Sequence, residues 1–448
     1  MVADLIIADL NNANLLGDIV DRRHGDYDRL RRVWNAMADR RPAVIVRAKS
    51  VADVEAVVTI AAKYCALLAV RGGGHSIPGL STCDDGIVLD LSAMNAVTVD
   101  QDTARAMVEG GAQLGDLDRA GIAAGLVVPA GVVSHTGVAG LTLGGGMGWL
   151  SRRFGLTIDN LLAADIVTAD GRSRHISATA EPELFWAIRG GGGNFGVVTR
   201  FVFRMHPLGE VLAGSWIYPF SEARGVLRAF GVLAANAPRE LTASFTLDRA
   251  ELHVTALWSG RKDSAEAAVA PFGKLGQPIS GQLGGQSYLE LQQRVDDHMA
   301  WSKRYYSKGG FLDGVDDRAV DVIAGSLARA PAAASEIYVL QLGGAVADVA
   351  DEATPYTGRT AGFYWIVGCG WNDPADDSNI LAWCREAGGR MAGISMRGNY
   401  VNEQGDAGTA IAQSSYGESK YARLSKLKAR YDPDNLFRLN QNIEPLHQ

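Results

Sequence analysis

The chain has 448 residues, of which 47% are apolar and 21% charged, and a formal net charge of -7. That length exceeds what one hydrophobic core usually fills, so two domains or one elaborated domain are expected. The mild acidity without any Lys/Arg patch speaks against a nucleic-acid partner, and the lack of an apolar run near eighteen residues speaks against a membrane span.

Four scattered cysteines, Cys65, Cys83, Cys369 and Cys384, form no CxxC pair and no zinc spacing. The N-terminal stretch lacks the basic start of a secretory signal, so a cytoplasmic protein in a reducing compartment is expected.

In chain order, "DYDRLRRVWNAMADR" reads as a helix, "AVIVRA" as a strand and "SVADVEAVVTIAAKY" as a helix capped by Ser50. "ALLAVR" and "GIVLDLS" read as strands enclosing the loop "GGGHSIPGL". Further on, "ARAMVEGG", "AADIVTADG" and "GVVTRFVFRM" are β-like, and "TADGRSRHI" carries the Asp-Gly signature of a hairpin. Helical "LGDLDRAGIAAG" and "EPELFWAIR" interrupt them. Glycine density falls near "MHPLG"; beyond it the strands "ASFTLD", "LHVTALW", "IYVLQLGG" and "FYWIVGCGW" alternate with helices. The tail "YARLSKLKARYDPDNLFRLNQNI" reads as a basic helix ended at Pro433 and followed by an extended segment. These shifts divide the chain into 1–207, 208–414 and a returning tail, 415–448.

Three glycine clusters mark the first part: "RGGGHS" at 71–76, "GVAGLTLGGGMG" at 137–148 and "RGGGGNFG" at 189–196. Loops of this kind turn amides toward phosphate and let a planar group lie against the backbone, so three of them suggest one long cofactor. Gly191, Gly193 and Gly196 spell GxGxxG, but they follow a helix and open a strand. A dinucleotide fingerprint needs the reverse order, which argues against a Rossmann fold and a nicotinamide cofactor.

The stretches "VRGGGHSIPGL", "PAGVVSHTGVAGLTLGGGMGWLSRRFGLTIDNL", "ELFWAIRGGGGNFGVV" and "YDPDNLFRLNQNI" occur in order between residues 42 and 443. Together they closely resemble the berberine bridge enzyme-like branch of the vanillyl alcohol oxidase and p-cresol methylhydroxylase superfamily. The resemblance implies an α+β protein, with a two-part FAD-binding domain of p-cresol methylhydroxylase type and a substrate domain whose antiparallel sheet covers the flavin. It also implies FAD linked covalently through His75, within a loop of Arg71, Gly72, Gly73, Gly74, Ser76 and Gly79. Ser134, Thr136, Gly137, Gly140, Gly144, Gly145, Gly146 and Gly148 supply the second set of cofactor contacts. Asn194, Gly196 and Val198 supply the third, and Asn440 and Asn442 come from the tail.

Many members of this family carry a second, cysteinyl linkage in a "GxCxxxG" context. Here the stretch is "GVVSHTG" with Val133 at the cysteine position, so a singly linked flavin is expected. His135 in that loop either lines the flavin edge or sits at the surface, while His24, His175, His206, His253, His298 and His447 share no constellation.

The reaction implied is removal of hydride from a C–H bond of a small alcohol, amine or secondary metabolite, with molecular oxygen as the acceptor that reoxidises the flavin. Relatives commonly present a tyrosine base in a "YxNY" strand; this chain has "YVNE", with Tyr400 and Asn402 expected on one strand face and Val401 and Glu403 on the other. Glu403 is then either the base or an exposed acid leading into a turn, and Tyr400, Tyr338 and Tyr364 are the alternative pocket residues. Two rival readings are a dehydrogenase serving another electron acceptor and a flavin-binding protein without turnover. Substrate identity and oligomeric state are left open.

Overall fold

The computed structural model describes residues 2–331 and 335–446, so His447 lies outside the described residues. Among the described residues no helix is long and apolar enough to cross a membrane.

Two larger sheets and a two-stranded pair, Leu126–Val127 with His206–Pro207, make up the first part as described. One has four strands in the order Asp18–Asp21, Val44–Arg47, Ile87–Asp90 and Leu68–Arg71, the last three parallel. Their near-continuous apolar runs suit strands covered on both faces. The helix Val51–Lys63 packs on this sheet; Ser50 and Asp53 close a reciprocal capping box at its start. The other sheet is antiparallel, with Val97–Asp100, Arg105–Glu109, Val197–Arg204, Leu161–Val167 and Ser173–Ser177 side by side. Gly171, at positive φ, makes the turn of the expected hairpin.

A seven-stranded antiparallel sheet forms the substrate part, in the order Ser280–Gln286, Val211–Pro219, Glu251–Trp258, Leu241–Leu247, Ser335–Gln341, Phe363–Trp371 and Arg304–Leu312. Alternation sorts its side chains by face. Ile337, Val339, Trp365 and Val367 enter the core beneath the helices Ala223–Ala235, Asp317–Leu327 and Asp377–Ala392. Tyr338, Leu340, Tyr364 and Ile366 face the other way, into a cavity. Cys369 and Cys384, remote from any motif in sequence, meet at 3.0 Å as free thiols between strand and helix.

Two expected elements take other forms. The helix expected over "DYDRLRRVWNAMADR" is a single turn, Tyr27–Leu30. Arg71 takes the Leu30 and Arg32 carbonyls at 2.6 and 3.3 Å, while Trp34 donates its backbone N–H to Gly74 and Asn35 bridges the Ile77 and Tyr305 carbonyls. Tertiary partners thus take groups that a helix would use. The tail helix begins at Thr409, well ahead of the expected start at Tyr421; it is broken by Gly417 at positive φ and ends at Tyr431.

Candidate active site

A cavity of ≈ 340 Å³ lies between the glycine loops and the seven-stranded sheet. His75 enters its wall at the end of the strand Leu68–Arg71. The imidazole stacks on Trp34 at 4.7 Å, and Trp34 stacks in turn on Tyr305 at 3.8 Å. Its Nε2 lies 2.7 Å from Nδ1 of His135, and its Nδ1 is 3.4 Å from the Thr136 hydroxyl. Burial, helped by His135, pushes the His75 pKa down to about 3, so the ring is neutral at physiological pH. His135 itself is half-buried and outside the cavity wall, and touches the site through His75. Nothing local pairs the two histidines, which are sixty residues apart.

Glycine at 73 and 137 has a local cause. A Cβ on either would run into the backbone of the other, so the first and second glycine loops cross only because both positions lack side chains. Gly140 differs: open space stands where its Cβ would be, and it lines the cavity. Gly72, Gly73, Gly74, Ser76, Thr136 and Gly137 are also in the wall, with Asn194, Gly196, Val198 and Asn440 from the third loop and the tail. The buried side-chain oxygen of Gln441, also in the wall, has no hydrogen-bond partner. A glycine-cleared cradle with polar groups at its rim fits a long, flat, phosphate-bearing cofactor.

Several expected cofactor residues stand elsewhere. Arg71 pairs with buried Asp90 at 2.8 Å behind the first loop, and Gly79 is a turn at positive φ packed on Ala38. Ser134 donates its backbone N–H to Asp296 at 2.8 Å. Gly144 backs onto Asn402, Gly145 onto Tyr356 and Tyr400, Gly146 onto Thr157, and Gly148 onto the Ala130 carbonyl. Asn442 is likewise outside the cavity wall, its buried side-chain oxygen unpartnered. Glycine runs report close approach, and here most of that approach is between protein segments.

"YVNE" is not a strand. Val401–Glu403 is a 3₁₀ turn, pinned where the Asn402 amide reaches the Gly140 and Leu141 carbonyls at 3.1 and 3.2 Å. The turn breaks the two-face alternation, so Tyr400, Val401, Asn402 and Glu403 all reach the cavity wall. The Tyr400 oxygen accepts from Asn402 Nδ2 at 2.9 Å and from the Gly146 N–H at 3.2 Å.

Glu403 is half-buried and lines the cavity rather than standing exposed, which argues against the surface-acid alternative. Its carboxylate has one side-chain partner, the Ser307 hydroxyl at 3.3 Å. Burial pushes its pKa up to about 7, opposed by that hydrogen bond. No other carboxylate, and no lysine or arginine, is among the described residues of the wall. Ser307, Trp34 and Tyr305 are the neighbours that sequence reasoning missed; none lies in a motif.

Family models for an FAD binding domain and for berberine and berberine-like proteins match residues 42–177 and 399–444. An FAD-linked oxidoreductase of Dictyostelium discoideum is 31% identical over 417 residues, covering 92% of this chain and 91% of that protein. The chain belongs to the berberine bridge enzyme-like FAD-linked oxidoreductases. Within that family, (R)-6-hydroxynicotine oxidase of Paenarthrobacter nicotinovorans is 30% identical over 459 residues, covering 96% of this chain and 97% of its own. The crystal structure of 6-hydroxy-D-nicotine oxidase from Arthrobacter nicotinovorans superposes with a TM-score of 0.89 at 28% identity, covering 97% and 99% of the two chains. The α+β architecture, with a p-cresol methylhydroxylase-type FAD-binding domain and a large antiparallel sheet, is that of the family. The chain is accordingly an FAD-linked oxidoreductase with an FAD-binding domain, and the cavity lies where that domain's glycine loops face the large sheet.

Proposed function

We propose that this oxidoreductase is an oxidase of a small alcohol, amine or secondary metabolite, with FAD covalently held through His75, oxygen as electron acceptor and Glu403 as base. Bound in the cradle, the flavin supplies the acceptor for a hydride leaving the substrate carbon. Glu403 accepts the proton of the adjoining O–H or N–H. A carboxylate with a pKa near 7 is matched to that task at neutral pH, which an ordinary glutamate is not. The observation carrying the proposal is that Glu403 is the single charged group among the described residues of the wall, held beneath the sheet without a cation to neutralise it.

The covalent reading rests on His75. A neutral imidazole has a nitrogen lone pair to bond with; His135 lies 2.7 Å from Nε2, and Nδ1 has only the longer 3.4 Å contact with the Thr136 hydroxyl. Val133 in the wall offers no sulfur for a second bond.

The test is an anaerobic screen of alcohols, amines and sugars against the purified yellow protein, scored by flavin bleaching, then by peroxide release on admitting air. Bleaching with peroxide supports an oxidase, bleaching without it a dehydrogenase, and no bleaching a flavin-binding protein without turnover.

A further inference from the structure

The sheet over the cavity presents a small checkerboard. In the pairing of Ser335–Gln341 with Phe363–Trp371, Tyr338 stands opposite Ile366 and Leu340 opposite Tyr364, so phenol and aliphatic side chains alternate along both strands. All four line the cavity. Both hydroxyls are buried; that of Tyr364 has no hydrogen-bond partner, while that of Tyr338 has the Ser244 side chain beside it. Phenylalanine would fill either position without stranding a polar group, and an unpaired buried hydroxyl is destabilising until something pairs with it.

The neighbouring strand is cut to suit one of them. At Gly309, on Arg304–Leu312, a Cβ would run into the Tyr364 hydroxyl; the missing side chain is what leaves that oxygen its room. Gly309's own carbonyl is engaged by the Gln404 amide at 3.2 Å. The wall adds one negative group, Glu403, and no positive one among its described residues. An anionic end on the substrate would therefore meet repulsion without a counterion.

We infer that Tyr364, with Tyr338 diagonal to it, forms a subsite that donates hydrogen bonds to a neutral acceptor on the substrate, an ether, carbonyl or phenol oxygen, distinct from the atom deprotonated by Glu403. The apolar body of such a molecule lies against Leu340 and Ile366. Tyr364 and Tyr338 then determine specificity while Glu403 serves the chemistry. Tyr400 is anchored to the second glycine loop, its oxygen accepting the Gly146 and Asn402 N–H groups. The inference rests on reading the cavity as the substrate site.

The test uses the intact flavoprotein without oxygen and two nearly isosteric probes, 4-methoxybenzyl alcohol and 4-ethylbenzyl alcohol, with the corresponding benzylamines in parallel. Dissociation constants come from perturbation of the flavin spectrum, so turnover is not required. Wild type should bind the methoxy member about tenfold more tightly in whichever pair it accepts, the worth of one neutral hydrogen bond. Tyr364→Phe should bring the two members within about twofold by weakening the methoxy compound alone. Tyr356→Phe, which removes another buried and unpartnered hydroxyl outside the cavity wall, should change neither. Equal affinities in wild type, a preference that survives in Tyr364→Phe, or failure of all four probes to bind overturns the subsite. If the preference appears and no compound ever bleaches the flavin, the subsite stands and the oxidase proposal falls. If other compounds bleach the flavin while these probes bind without preference, the reverse holds.

Discussion

The Glu403 carboxylate meets the Ser307 hydroxyl at 3.3 Å and faces no cation in the cavity wall as described. One long hydrogen bond does not offset the burial of a charge, and the carboxyl responds by holding its proton up to about pH 7. Two consequences are measurable. As the base, Glu403 must be ionised, so flavin reduction should rise with pH through about 7. Glu403→Gln should lower it on the order of 100-fold and abolish that acidic limb. Rapid-reaction spectroscopy across pH decides it; a Gln variant reduced at the wild-type rate throughout would return the base to Tyr400, Tyr338 or Tyr364.

Stability should move in the opposite sense. The carboxyl's pKa is raised on folding from 4.5, so the folded state binds this proton more tightly than the unfolded chain. The contribution is fully present below about pH 4.5 and is lost as pH rises through about 7, on the order of 3 kcal/mol in all. Glu403→Gln does not titrate and should lack this decline, becoming more stable than wild type above pH 7. Parallel melting curves for the two proteins between pH 5 and 8 would refute the assignment.

For His75 the expectation is that acid-precipitated protein stays yellow and that flavin maps to the peptide containing His75 and to no cysteine. His75→Ala should keep flavin only through the loops and lose it on precipitation. Flavin released quantitatively from wild type, or found on Cys65 or Cys83, would exclude the linkage through His75 alone.

Much of this was legible in the sequence. Glycine clusters and short strands pointed to a long cofactor, and Ser50 capped the helix it was expected to cap. What escaped was set by contacts remote in the chain. Trp34 falls in a stretch that reads as helical, yet His75 and Tyr305 hold it in a stack. The "YVNE" segment alternates like a strand, and only the reach of Asn402 to Gly140 and Leu141 turns it. Gly144, Gly145, Gly146 and Gly148 resemble cofactor glycines in composition, but a glycine cleared for tyrosine or backbone has the same letter as one cleared for phosphate.

Tyr400 separates scaffolding from chemistry. Its oxygen accepts from the buried Gly146 N–H and from Asn402, and burial, foremost, raises its pKa further above the ordinary phenol range. Tyr400→Phe leaves that amide unpaired and should cost about 1–3 kcal/mol of stability. Flavin reduction should fall by less than about tenfold, far less than in Glu403→Gln. A Tyr400→Phe variant that melts like wild type but reduces flavin about 100-fold more slowly would exchange the two roles.

The tail holds the third glycine loop through a buried charge. Lys428 and Asp432, both fully buried, pair at 2.5 Å, and Lys428 donates onward to the Asn194 carbonyl at 2.7 Å. Asp432 also accepts the Leu436 and Phe437 N–H groups at 2.7 and 2.9 Å, which turns the chain out of the helix. Asn194 in turn binds the Gly191 and Gln441 carbonyls and accepts the Ile443 N–H, fastening the extended end of the chain against the cavity. Asp432→Ala strands the ammonium and two amides and should destabilise the protein by about 3–5 kcal/mol. Replacing both charges, as Lys428→Met with Asp432→Leu, should cost less than removing the acid alone, because the unpaired cation is the larger penalty. Thermal melts of the three proteins decide this, and flavin retention in Asp432→Ala reports whether the loop is held through the pair. A double variant less stable than Asp432→Ala would show that the amide contacts of Asp432, and not the charge left behind, dominate at this position.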